Sequence, residues 1–390
     1  MTDADCCCLI NDIETKCVHG AGAFGTEGIR PISMPIYQTA SFSHIEPGHN
    51  GSGFDYTRES NPTRTQLEKT VAALEGAKDC LAFTSGMAAI NTVFELFKPG
   101  DHVICGDDLY GGTVRLIKLI AKKNGVEVTC VNGDISNIKS AVKKNTRAIY
   151  IETPGNPMMN ITDIAECARI AHGIDAFLIV DNTFLSPYFQ NPIALGADIV
   201  VHSGSKFLAG HNDTIAGFVC LADKETADRI RLLTKTIGNG LAPFDSWLVL
   251  RGIKTLSVRL EREQENAKAL VKWFESADFV KKIYYPGLET HPGYAVNLKQ
   301  ARGSGAMISI EVDSKERALS ILKGVKVITF AESLGGTETL VTYPLVQTHP
   351  DVPEEVREKL GINDRLLRFS VGLESARDLI EDILQAANTV

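Results

Sequence analysis

The chain has 390 residues, 44% of them hydrophobic and 23% charged, enough to bury a large core in an ordinary globular protein. Its formal net charge of −8 argues against a nucleic-acid or acidic-membrane partner, which would favour a basic face. No apolar run is long enough to span a bilayer, and Asp3 and Asp5 stand where an export signal carries basic residues.

Residues 1–60 are rich in Gly, Pro and Ser without strong periodicity, and are expected to form an arm laid across a neighbouring subunit. The stretch ends in Phe54-Asp-Tyr-Thr-Arg-Glu-Ser-Asn-Pro-Thr-Arg64, too structured a composition for a loose tail. Cys6, Cys7 and Cys8 read as a frayed tail rather than a redox or metal handle. The nine cysteines show no zinc-finger or C-x-x-C spacing, which predicts a reduced, cytoplasmic chain without a metal. The run from His19 to Gly25 fits G-x-G-x-x-G, but no strand precedes it and Pro31 and Pro35 block a following helix. A dinucleotide site lacks its structural context there.

From residue 61 helical and buried-strand patterns alternate. Residues 65–75 predict an amphipathic helix with Leu67, Val71 and Leu74 on one face. Apolar runs at 102–105, 126–131, 148–151, 177–180, 199–201 and 218–221 predict strands, with helices at 86–97, 113–123, 136–143 and 164–172 between them. Continuous rather than alternating hydrophobicity implies burial on both faces, the mark of a mostly parallel sheet flanked by helices. A long helix at 257–276 follows. Strands of mixed polarity at 280–285, 306–312, 327–330, 339–343 and 367–371, with helices at 315–323 and 375–387, then predict a smaller α+β domain. The fold class is α/β, with an arm (1–60), a large domain (61–250) and a C-terminal domain (251–390).

The segment Ala197-Asp-Ile-Val-Val-His-Ser-Gly-Ser-Lys206 ends a β-branched run in two small hydroxyl residues and a lysine. The run Phe177-Leu-Ile-Val-Asp181 likewise ends in a charge. Two buried strands delivering a lysine and an aspartate to one crevice are the parts a pyridoxal phosphate (PLP) enzyme needs. The lysine holds the aldehyde, and the aspartate keeps the ring nitrogen protonated so that the ring accepts electrons. Taken singly, such a lysine is more often a solvated loop residue and such an aspartate a helix cap; other segments tip the balance. Thr84-Ser-Gly-Met-Ala-Ala89 opens a helix, where small residues let backbone N–H groups converge on an anion. Ser85 as a plain N-cap is the alternative; joined with Ser203 and Ser205, the segment makes a phosphate cup at the strand ends. Tyr110 is followed by two glycines that would let its ring lie flat against a planar cofactor, or serves as a turn anchor.

Together, Tyr56-Thr-Arg-Glu-Ser-Asn-Pro-Thr-Arg64, Ser85-Gly-Met87, Tyr110-Gly-Gly-Thr113, Glu152-Thr-Pro-Gly-Asn-Pro157, Val180-Asp-Asn-Thr183, Ser203-Gly-Ser-Lys206, Glu332-Ser-Leu-Gly-Gly336 and Arg368-Phe-Ser-Val-Gly372 resemble the Cys/Met-metabolism PLP enzymes. That family includes cystathionine γ-synthases, cystathionine β- and γ-lyases, methionine γ-lyases and O-acylhomoserine sulfhydrylases. The resemblance implies the fold type I of PLP-dependent transferases. It implies that Lys206 forms the Schiff base and carries protons, that Asp181 pairs with the ring nitrogen, and that Tyr110 stacks on the ring. Gly86, Met87, Ser203 and Ser205 would hold the phosphate, reached from a neighbouring subunit by Tyr56 and Arg58. Asn156 would serve cofactor and substrate; Ser333 and Arg368 would position the substrate, Arg368 clamping its carboxylate bidentately. Arg115 and Glu332 are further substrate-binding candidates.

The lysine motif departs from the family's usual Ser-Ala-Thr-Lys, and the added Gly204 is expected to loosen the lysine loop. Gly112 stands where methionine γ-lyases carry cysteine, which lowers that activity in rank. Glu332 beside Ser333 favours γ-synthases and γ-lyases, with an exposed acid of no substrate role weighing nearly as much. The first expectation is γ-replacement, O-acylhomoserine plus L-cysteine giving L-cystathionine. Elimination from cystathionine to a 2-oxo acid and ammonia, sulfhydrylation, and a catalytically silent regulator are the alternatives. Amino-acid substrates and a homodimer with shared sites, paired into a tetramer, complete the expectation.

Overall fold

Seven strands build the first sheet in the computed structural model, which describes residues 11–20, 31–350, 352 and 354–389. Cys6, Cys7, Cys8 and residues 21–25 of the glycine motif lie outside the described residues. The strands are β1 (Asp79–Phe83), β2 (His102–Gly106), β3 (Glu127–Val131), β4 (Thr146–Glu152), β5 (Phe177–Asp181), β6 (Ile199–Ser203) and β7 (Gly217–Leu221). Their order is β1-β7-β6-β5-β4-β2-β3. β7 runs antiparallel to both of its neighbours, and the other pairings are parallel.

The alternation of side chains divides the apolar content between two layers. Val103, Ile179, Val201 and Val219 pack on one face with the helix Gly86–Phe94. Ile104, Leu178, Val180 and Val200 pack on the other with the helices Pro62–Glu75 and Ile164–His172. Each fully buried aliphatic side chain stabilises the fold by about 1.5–3 kcal/mol, and burial on both faces explains the unbroken apolar runs.

The sequence predicts no strand over Asp79–Phe83, where Asp79 and Ala82 are poor strand formers. Pairing with β7, from Asp79 opposite Leu221 to Phe83 opposite Gly217, overrides that preference. The helix expected at 113–123 instead begins at Gly111 and passes at Ile117 into a π-helical turn ending at Ala121. Within the segment expected to form the arm, Ile13–His19 is helical, and its buried Cys17 packs on the helices Pro62–Glu75 and Leu256–Phe274 of the same chain.

The second sheet holds β8 (Val280–Tyr284), β9 (Met307–Val312), β10 (Thr329–Phe330), β11 (Leu340–Thr342) and β12 (Leu366–Ser370), ordered β10-β11-β12-β9-β8. β10 is shorter than expected because the Asp382 carboxylate accepts the N–H groups of Lys326, Val327 and Ile328 at 2.8–3.1 Å. Those amides are lost to strand pairing. Among the described residues no helix is long and apolar enough to cross a membrane.

Candidate active site

The parallel strands β4, β5 and β6 end together, and their carboxyl ends open on one crevice. Asp181 is the last residue of β5; one of its carboxylate oxygens accepts the Thr183 N–H at 3.0 Å. The Thr183 hydroxyl in turn accepts the Ser203 N–H at 2.8 Å, stapling the ends of β5 and β6. Burial pushes the Asp181 carboxyl up, opposed first by its Thr183 hydrogen bonds.

Three residues past β6, Lys206 sits in a tight turn in which Ala209 N–H donates to the Gly204 carbonyl at 3.0 Å and Gly210 N–H to the Lys206 carbonyl at 2.8 Å. The expected loosening by Gly204 is not found. A Cβ there would lie 2.4 Å from the Phe218 ring, so the glycine admits close packing against β7 rather than freedom. Ser205 is fastened as well, its hydroxyl accepting from Ala216 N–H at 2.9 Å. Lys206 Nζ donates to Ser333 Oγ at 2.8 Å. Burial, then the Arg368 charge, push the amine down to about 8, against the pull of Glu332.

The helix Gly86–Phe94 points its first turn into the crevice. Ser85 is indeed its N-cap, accepting Ala88 N–H at 3.0 Å. The leading N–H groups of a helix have no intrahelical acceptor and carry the positive end of its dipole. Gly217 of β7 approaches so closely that a Cβ would lie 2.1 Å from the Ser85 carbonyl oxygen. Tyr110 projects over the crevice, its N–H donating to Glu152 Oε2 at 2.9 Å. A Cβ on Gly112 would lie 2.5 Å from the Tyr110 ring and 2.8 Å from Met87 Sδ. Burial, then Glu332, push the Tyr110 phenol up.

Arg368 on β12 reaches in from the second sheet, 2% exposed. Its Nη1 donates to Asn156 Oδ1 at 2.8 Å, its Nη2 to the Ser333 carbonyl at 3.1 Å and to Thr342 Oγ1 at 3.2 Å. Its buried Nε has no protein acceptor. Asn156 is held through its carbonyl, which lies 3.1 Å from His349 Nε2.

These groups line one cavity of about 550 Å³. It gathers Gly86, Met87, Tyr110, Asn156, Asp181, Ser203, Ser205, Lys206, Glu332, Ser333 and Arg368. Tyr56, Arg58 and Arg115 are not among its lining residues. Arg58 instead donates to the Lys235 carbonyl at 2.6 Å and lies 5.4 Å from the Tyr56 ring centroid, while exposed Arg115 acts on Tyr110 through its charge. Glu152, Thr183, Asn212 and Thr348 also line the cavity. The first two stood inside motifs already noted; nothing in the sequence marked the others. An anion cup, an amine of lowered basicity, a carboxylate beyond it, an aromatic face and an arginine with an unused donor fit pyridoxal phosphate and an amino-acid carboxylate.

Residues 14–388 match the model for the Cys/Met metabolism PLP-dependent enzyme family. The cystathionine β-lyase of Lactococcus lactis is 44% identical over 97% of this chain and 99% of its own. The Bacillus subtilis cystathionine γ-lyase is also 44% identical, over 97% and 99%. The Haemophilus influenzae cystathionine γ-synthase is 44% identical over 94% and 95%. Among solved structures, cystathionine γ-lyase from Lactobacillus plantarum complexed with L-serine superposes with a TM-score of 0.94 at 42% identity, covering 96% of this chain and 98% of that one.

Proposed function

Because this chain belongs to the Cys/Met metabolism PLP-dependent enzymes, acting on C–S bonds as a cystathionine lyase or synthase does, we propose that its own reaction is γ-replacement. In that reaction the sulfur of L-cysteine replaces the acyloxy group at Cγ of an O-acylhomoserine, which leaves as the free carboxylate, to give L-cystathionine. The observation that carries this reading is Glu332, an exposed carboxylate on the cavity wall whose charge acts on Lys206, Tyr110 and Arg368. Replacement brings a second amino acid into the site, and Glu332 offers an anion to its ammonium group, as it would to the distal ammonium of cystathionine, so turnover decides between the two reactions.

When bound, pyridoxal phosphate supplies an electron sink that acidifies the carbon next to the substrate nitrogen. Lys206 would hold its aldehyde, Asp181 its ring nitrogen, and Tyr110 its face. The first turn of the helix Gly86–Phe94 would hold the phosphate with Ser203 and Ser205. Arg368, set by Asn156 and Ser333, would grip the substrate carboxylate. An amine poised at about 8 is partly neutral at physiological pH, so Lys206 can take a proton at Nζ and return it to a neighbouring carbon. Tyr110 keeps its phenolic proton and can donate it to the leaving group.

A second reading, elimination from cystathionine, is favoured by relatives named lyases at the same 44% identity. Offering the purified protein each substrate separately tests the choice. Cystathionine formed from acylhomoserine plus cysteine supports replacement; rapid 2-oxo acid release from cystathionine without that synthesis overturns it. Sulfide tested in place of cysteine distinguishes a sulfhydrylase. Absence of bound PLP from the purified protein would revive the silent regulator.

We further propose a homodimer, paired into a tetramer, in which Tyr56 and Arg58 complete the neighbour's phosphate cup, since neither lines its own chain's cavity. Residues 1–60, 61–250 and 251–390 would then be arm, cofactor domain and substrate-gripping domain. K206A and Y56F proteins should regain activity when their subunits are mixed; no recovery after proven exchange refutes a shared site. We place the enzyme in the cytoplasm, where its six described cysteines, all free, stay reduced.

A further inference from the structure

We propose that Glu152 is the positioning residue that fixes Tyr110 over the cavity, acting as the unionised member of a carboxyl pair with Asp181. The inference rests on the reading of this cavity as the cofactor site, and no role above uses Glu152. It is the last residue of β4, 8% exposed. Its two oxygens tie down the segment that carries Tyr110. Oε2 accepts the Tyr110 N–H at 2.9 Å, and Oε1 lies 3.3 Å from Thr113 Oγ1. Tyr110 has a glycine on its C-terminal side and is 37% exposed, so this carboxyl is the anchor that sets where the ring stands.

Glu152 is also the register partner of Asp181 on the adjacent parallel strand. Register partners on neighbouring strands project from the same face, with the strands roughly 4.8 Å apart. Two carboxyls so placed, Glu152 buried and Asp181 half-buried at the cavity wall, do not both ionise, because each anion raises the cost of the other. Their surroundings decide which one keeps the proton. Asp181 accepts from Thr183 and feels the favourable charge of His202. The charges acting most strongly on Glu152 are those of Asp181 and Asp108, both acids, and the other titratable groups near it are Tyr110, Tyr150 and Cys105. Burial pushes the Glu152 carboxyl well up. The proton therefore sits on Glu152. Its O–H can donate to Thr113 Oγ1 while its other oxygen accepts from Tyr110, and Asp181 remains the anion that a protonated ring nitrogen requires.

The test compares E152Q, which mimics a neutral carboxyl, with E152A. Leaving the Tyr110 N–H without its acceptor should weaken PLP binding in E152A by roughly tenfold to a hundredfold in equilibrium dialysis. It should also alter the visible circular dichroism of the bound cofactor, which reports ring orientation. E152Q should recover the dichroism and bind PLP within about threefold of the wild type. The infrared spectrum of the cofactor-free wild type should contain a protonated-carboxyl stretch that E152Q lacks. Unchanged binding in E152A, or E152Q as impaired as E152A, overturns the proposal. If E152A does not fold, absence of that stretch from the difference between wild type and E152Q overturns it alone. Failure of the wild type to bind PLP at all would instead refute the cofactor reading of the cavity.

Discussion

Lys206 without its cofactor offers a quantitative check on the electrostatics of the cavity. Burial and the Arg368 charge bring its amine from an ordinary 10.5 to about 8. At pH 7 an ordinary lysine is neutral in about one molecule in three thousand, whereas Lys206 would be neutral in about one in eleven, a roughly 300-fold gain in reactive amine. Competitive acetylation with acetic anhydride, read by mass spectrometry on peptides of the cofactor-free protein, measures this site by site. Acetylation of Lys206 relative to a neutral reference amine should rise with pH through a midpoint near 8 and level off by about pH 9, while surface lysines continue to rise toward 10 and beyond. The neighbours give the sign. In E332Q the anion that favours the ammonium is gone, so the midpoint should fall; in R368Q the opposing cation is gone, so it should rise. A Lys206 profile still climbing above pH 9, or midpoints that move the other way, would refute the assignment of burial and Arg368 as the causes.

Three further outcomes follow from the same geometry. G112A drives a Cβ to within 2.5 Å of the Tyr110 ring; overpacking of about 1–3 kcal/mol should weaken PLP by roughly tenfold or more, and unchanged affinity by dialysis would show the ring moves aside freely. R368K keeps a charge but loses the fork onto Asn156, Ser333 and Thr342, so KM for the amino acid should rise roughly tenfold to a hundredfold while PLP affinity holds; equal losses in both would refute a substrate-carboxylate role. His349 is 1% exposed and pushed down to about 4, so between pH 6.5 and 4 the unfolded chain binds a proton that the folded one refuses; folding stability should fall by up to about 3 kcal/mol across that window, and by less in H349Q, as urea titrations at several pH values would show.

The sheet was legible in the sequence because burial on both faces leaves a simple trace. Runs such as Phe177-Leu-Ile-Val-Asp181 and Ile199–Ser203 are apolar whichever way a side chain points, so β2, β4, β5, β6 and β7 fell within a residue or two of their places, whereas β3, with Glu127 and Cys130 exposed at the sheet edge, owes its place to Val126, Val128 and Val131 instead. Where the sequence misled, a tertiary contact had decided the outcome. β1 exists because β7 offers it a ladder, and β10 is cut to two residues because a side chain 53 residues further on, Asp382, takes the amides before Thr329. Neither partner is visible in a local window.

The candidate site was legible for a related reason: its groups stand at the ends of those same strands, so locating the strands located Asp181 and Lys206. What the sequence did not carry is how the ends are joined. Thr183 is a small polar residue in a motif quoted for its aspartate, yet its hydroxyl holds the Ser203 N–H and its own N–H holds Asp181. One side chain thereby couples the carboxylate that would meet the ring nitrogen to the cup that would meet the phosphate, two ends of one rigid molecule. Gly204 carries the converse lesson. Its freedom was inferred from residue type alone, whereas the Phe218 ring occupies the space a side chain would need. The lysine turn is therefore fixed before any cofactor arrives. T183V should test this coupling: loss of one buried hydroxyl bond costs about 1 kcal/mol, and because it joins both ends of the site, affinity for pyridoxal phosphate should fall more than affinity for inorganic phosphate. Equal falls for the two ligands would mean that the carboxylate and the cup are positioned independently.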